Sequence, residues 1–121
     1  MNRALLLTTL ALFAAGCYWD DEETLYPDAV NCDTLDVSFS ADVLPILTNH
    51  CFTCHSNANA PDFTFGFSLE DHEDVSAAST LIVGAINHNE GFVPMPQGSD
   101  QLDSCQIETI EAWVNQGSLN N

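Results

Sequence analysis

The chain of 121 residues carries one basic residue, Arg3, against 18 aspartates and glutamates, a formal net charge of −17 at neutral pH. A surface so negative repels phosphate backbones, which excludes nucleic acid as a partner, and attracts cationic surfaces over a screened range of about 10 Å at ordinary salt. The length suits a single domain.

Arg3 is followed by an apolar run from Ala4 to Ala15, too short to span a bilayer and ending in small residues before Cys17. This pattern predicts an export signal over 1–16. The stretch Phe13-Ala14-Ala15-Gly16-Cys17 resembles the lipobox of bacterial lipoproteins, with Ala14 in the place of the usual Leu. That resemblance implies cleavage before Cys17 and a lipid on its thiol. Such a protein would be anchored in the cell envelope, on the periplasmic side or at the cell surface, without spanning the membrane. After Cys17, the residues to 36 open with Tyr-Trp-Asp-Asp-Glu-Glu and sustain no apolar period, so 17–36 reads as an acidic tether leading to a domain over 37–119.

A first helix is expected from about Ala41, capped by Ser40 or Asp42, with Val43, Ile46, Leu47, His50 and Cys51 recurring on one face and Pro45 in the first turn. It runs into Cys51-Phe52-Thr53-Cys54-His55. Cys-x-x-Cys-His is the attachment pattern of a c-type haem. Two thiols three positions apart add to the vinyl groups along one porphyrin edge, and the adjacent His lies beneath the iron as an axial ligand. A covalently held porphyrin would also supply apolar interior to a small, acidic, loop-rich chain. Two readings compete. A thioredoxin-like dithiol would sit at the end of a strand opening a helix, whereas this motif ends a helix. A zinc site would need further ligands, such as Cys105 and His88.

Residues Ser56 to Asp74 read as a loop with an apolar cluster at Phe63, Phe65, Phe67 and Leu69. Its Phe-Thr-Phe-Gly-Phe alternation suits an extended segment packed on something apolar. Phe63, Phe65, Phe67 and Phe92 are candidates to cover a porphyrin. His72, set among Glu70, Asp71, Glu73 and Asp74, reads as a solvated surface imidazole. A second helix is expected over Val75 to Asn87, with Val75, Ala78, Leu81, Ile82, Ala85 and Ile86 on its buried side and Gly84 as its weak point. A second loop, Gly91 to Gln101, holds Met95 between Pro94 and Pro96. The third helix has the strongest local signals. Asp103 and Gln106 suit a capping box, Leu102 and Ile107 a staple, and Ile107, Ile110, Trp113 and Val114 a buried face before a stop at Gly117. Phe39, Leu47, Ile110 and Trp113 are expected to pack the first helix on the last.

The second axial ligand follows by elimination. Met95 is the methionine left once Met1 departs with the signal, and no lysine exists. The flanking prolines restrict its backbone so that a thioether can be held at one distance from iron. His50, His72 and His88 are the rivals, His88 foremost. Of the five cysteines, Cys32 and Cys105 then remain, and in an oxidising compartment two such thiols pair.

From Val37 to about Leu119 the chain resembles the class I, single-haem cytochromes c, particularly small bacterial ones. The resemblance lies in Asp-Val-Leu-Pro-Ile-Leu, Cys-Phe-Thr-Cys-His, Ala-Ile-Asn-His, Pro-Met-Pro-x-Gly and Ile-Glu-Ala-Trp-Val. It implies an all-α fold of three main helices with long loops around one covalent haem c, the terminal helices crossing steeply. It further implies that His55 and Met95 close the iron from opposite faces, with electron transfer and no substrate chemistry. The chain departs from many relatives in lacking lysines, with Gln97 just after the Met motif, so docking through a lysine ring cannot be carried over.

The functional expectation is a monomeric, lipid-tethered electron carrier serving a redox partner protein, not an enzyme, because a haem with both axial positions filled has no open iron site. A haem-dependent peroxidase or gas sensor, in which Met95 leaves the iron, is the alternative from another class. A disulfide-stapled surface lipoprotein without a cofactor is the third.

Overall fold

Ser38 opens the helical part of the molecule: its hydroxyl accepts from the Ala41 amide at 3.2 Å, and the Asp42 carboxylate accepts in turn from the Ser38 amide at 2.8 Å. This reciprocal cap lies upstream of the expected Ser40 or Asp42. It launches a π-helical turn, Phe39–Val43, followed by α1, Leu44–His50, with Pro45 in the first turn where its missing N–H breaks no bond. A computed structural model describes residues 32–121; the expected signal over 1–16, the lipid site Cys17 and the tether as far as residue 31 lie outside the described residues.

Cys51, at φ −117°, interrupts the rod, and Phe52–His55 forms a separate turn, α2. The stretch expected to be extended is not. Ala60–Phe63 is a helical turn, α3, with Pro61 in its first turn and the Asn59 side chain donating to the carbonyls of Phe52 and Thr53. The chain then reverses at Phe65 and Gly66, both at positive φ (56° and 87°). The expected second helix is two segments, α4, His72–Ala77, and α5, Ser79–Ile86, meeting at Ala78. Hydrogen bonds continue on both sides of the kink, from the Ala78 amide to Asp74 and from the Ile82 amide to Ala78. Buried Val75, Ala78 and Ile82 thereby keep to the core. Ser104–Asn115 is α6. Among the described residues there are helices and no strand, an all-α chain, and no helix there is long and apolar enough to cross a membrane.

The core joins Val37, Phe39, Val43 and Leu47 to Leu69, Val75, Ala78, Ile82 and Ile86, and to Leu102, Ile110 and Trp113 of the C-terminal part. Trp113 is wholly buried, its ring centroid 5.5 Å from that of Phe39, and its indole N–H donates to the Leu119 carbonyl at 2.9 Å. The expected packing between first and last helices is therefore present. Leu81, expected inside, is 58% exposed.

His72 also corrects its expectation. Four neighbouring carboxylates suggest a solvated ring, yet it is half-buried edge-on against Phe39 and Trp113, at 4.9 and 5.9 Å, and its Nε2 donates to the Ser118 carbonyl at 2.8 Å. The apolar edge is sheltered while the polar corner keeps a partner. Cys32 and Cys105 form a disulfide with a Cα separation of 5.4 Å. The same C-terminal region holds the incoming chain through Gln116, whose side chain accepts from the Val37 amide and donates to the Thr34 carbonyl.

Candidate haem-attachment site

Cys51, Cys54 and His55 occupy one helical turn because the Cys54 and His55 amides both reach the Cys51 carbonyl, at 3.1 and 2.8 Å. Residues three apart on such a turn lie on one side. The two thiols are free and half-buried. Burial pushes the Cys51 thiol up to about 11 from its ordinary 9.0. That is the reverse of what a dithiol redox enzyme requires of its attacking cysteine, whose thiolate must be abundant near neutrality.

His55 is fixed from several directions. Its Nδ1 lies 2.9 Å from the Phe67 carbonyl, its own carbonyl accepts from the Leu69 amide at 2.8 Å, and the Phe67 ring meets it edge-on with centroids 5.5 Å apart. A carbonyl only accepts, so the proton of a neutral ring sits on Nδ1 and the Nε2 lone pair is left for a metal. Metal-binding histidines characteristically anchor their second nitrogen in this way.

The loop that presents Phe67 is clasped to the motif by polar side chains. Asn57 donates through its amide to Glu70 at 2.7 Å and through its side chain to Asp71 at 2.9 Å, while the buried Ser68 hydroxyl donates to Asn57 Oδ1 at 2.6 Å. Thr64 Oγ1 reaches the same Phe67 carbonyl at 2.8 Å. None of these partners was visible in the sequence. The principal acceptor is a backbone carbonyl, which has no residue signature, and Asn57, Thr64 and Ser68 have no spacing that points to a ligand.

A surface depression of about 290 Å³ is lined by Gly66, Phe67, Ser68, Ala77, Ala78 and Leu81, with Asp74 at its polar side; of these, Phe67 is the residue whose ring meets His55. Phe65 is fully exposed, and Phe63 is 66% exposed. Phe92 is half-buried, its ring pressed against Gly84, where an added Cβ would come within 2.6 Å of three ring atoms. The glycine that weakens α5 on propensity is thus required by a close approach.

Met95 is carried by a different element, the loop after α5. Its amide donates to the Ala85 carbonyl at 3.0 Å, and its carbonyl accepts from His88 Nε2 at 3.1 Å. His88, the foremost rival ligand, here braces the methionine. His50 is exposed, with its Nε2 accepting from the Gln106 side chain at 2.9 Å, and half-buried His72 is engaged with the Ser118 carbonyl as described. Among the described residues no three His, Cys, Asp or Glu side chains are grouped as a metal site, and the disulfide occupies Cys105, one of the further ligands a zinc reading could nominate. No family model, no curated protein and no solved structure matches this chain, so its chemistry rests on the residues just described.

Proposed function

We propose that this protein is a single-haem electron carrier of the c type, with haem c joined through Cys51 and Cys54, His55 as one axial ligand of the iron and Met95 as the other. One observation carries the reading: directly after two free thiols on one helical turn stands an imidazole whose Nδ1 is spent on the Phe67 carbonyl, leaving Nε2 as a bare donor. Phe67, whose ring meets His55 edge-on, is 39% exposed and offers apolar surface that suits a flat apolar macrocycle better than water.

Haem in such a site supplies one-electron exchange. The residues do the rest. Cys51 and Cys54 would hold the cofactor covalently; the Phe67 carbonyl orients His55 and raises its donor strength. Bonds at the amide and carbonyl of Met95 hold its backbone, which limits the movement that would open a coordination site. That bracing favours electron transfer over the peroxidase or gas-sensor alternative. The lipid anchor at Cys17 and the redox partner belong to this proposal too.

The test is the protein matured in a host with haem-attachment machinery. Expected are a mass exceeding the polypeptide and any lipid by one haem, low-spin spectra in both oxidation states, and a sulfur-to-iron charge-transfer band in the ferric form that Met95→Ala abolishes. A product with unmodified Cys51 and Cys54 would leave the cofactor-free lipoprotein. Rapid carbon monoxide binding by the reduced wild type, without denaturant, would favour the alternative.

A further inference from the structure

We propose that the Thr64 hydroxyl tunes the reduction potential of the site by sharing the Phe67 carbonyl with the His55 Nδ1–H; this rests on the haem reading above. The Phe67 oxygen receives two donors, His55 Nδ1 at 2.9 Å and Thr64 Oγ1 at 2.8 Å. Thr64 Oγ1 also lies 3.1 Å from the Ala60 carbonyl. A hydroxyl has one proton and both neighbours are acceptors, so it serves one of them at a time, and Phe67 is the closer.

The geometry is built by the local fold. Thr64 ends α3, its amide capping Ala60 at 2.9 Å, and the reversal through Phe65 and Gly66 returns the chain until the Phe67 amide meets the Thr64 carbonyl at 3.1 Å. The hydroxyl is thereby placed against the one oxygen that determines which nitrogen of His55 carries the proton.

Two donors on one carbonyl oppose each other, because each withdraws electron density that the other would use. With Thr64 on Phe67, the Nδ1–H bond of His55 is less polarised, and the ring donates less strongly through Nε2. A less electron-rich axial imidazole stabilises ferric iron less, which raises the potential. Rotation of the hydroxyl toward Ala60 has the opposite effect. Thr64 touches neither ligand atom nor cofactor in this scheme and acts only through Phe67 and His55.

The experiment compares full-length holoprotein carrying Thr64, Thr64→Val, Thr64→Ala and Thr64→Ser. Valine keeps the β-branched shape and removes the donor; serine keeps the donor. Midpoint potentials are measured by spectroelectrochemical titration, and the His55 Nδ1–H resonance by NMR of the reduced form. Thr64→Val and Thr64→Ala are expected to lower the potential and move the proton downfield, with Thr64→Ser restoring both. A haem-loaded Thr64→Val with unchanged potential and proton shift overturns the proposal alone. So does a Thr64→Ser that shifts as far as Thr64→Val, since packing would then be the cause. A wild type without covalent haem overturns both the proposal and the reading beneath it.

Discussion

At the level of single residues, the candidate site combines a thiol whose pKa is raised by burial with an imidazole whose Nδ1 is held by a carbonyl. The raised Cys51 thiol gives a direct check on the haem-free polypeptide. Below pH 9, its thiolate fraction is lower than in the unfolded chain by on the order of a hundredfold, and alkylation should slow accordingly. Iodoacetamide labelling at pH 8, followed by peptide mass analysis in native buffer and in urea, reads this ratio; equal rates would show that Cys51 is not shielded. Gly84 offers a second check, since its substitution drives a methyl into the Phe92 ring. Gly84→Ala should destabilise the fold by about 1–3 kcal/mol despite alanine's better helix propensity, and Phe92→Leu in the same chain should recover part of the loss, as measured by urea unfolding. Cys51, Cys54 and His55 stand out in the sequence because the chemistry proposed for them is tied to residue types at fixed spacing. The groups that orient His55 do not, since a main-chain carbonyl and a polar clasp assembled across eleven or more positions leave no local pattern.

Among the elements, α6 was the most legible and α3 the least. Asp103 caps α6 as expected, accepting from the Gln106 amide at 2.9 Å. The reciprocal half of the capping box is missing because the Gln106 side chain turns to His50 instead, binding the last helix to the end of α1. Asp103→Ala should therefore cost about 1 kcal/mol, a single-cap loss, in chemical denaturation. Gln106→Ala tests the other role by loosening the α1 to α6 contact without unmaking the cap. The phenylalanine alternation over 63–67 misled because period-two spacing carries no information about a chain reversal. Pro61 sits in the first turn of a short helix, and a non-glycine residue at positive φ, Phe65, reverses the chain just after its cap at Thr64. The division of the second helix at Ala78 was equally hidden, since alanine marks no kink and the apolar spacing continues through it.

At the scale of the fold, a disulfide among the described residues joins positions 73 apart, ahead of the first described helix and inside the last. Closing so long a loop lowers the entropy of the unfolded chain, by ~4 kcal/mol in the chain-entropy picture. Cys32→Ser with Cys105→Ser should thus bring the urea midpoint down markedly with little change in the helical far-ultraviolet signal of the native protein, an outcome absent if the pair contributes nothing to stability. The bond also dictates the route of mechanical load. Tension applied upstream of Cys32 passes across the sulfur bridge into the start of α6, and everything between the two cysteines, including the thiols, His55 and the methionine loop, lies in a side branch that bears no pull. Stretching a single molecule from Cys32 and the C-terminal residue would then extend the oxidised protein by only the residues after Cys105, whereas the reduced protein would unravel over the whole of 32–121.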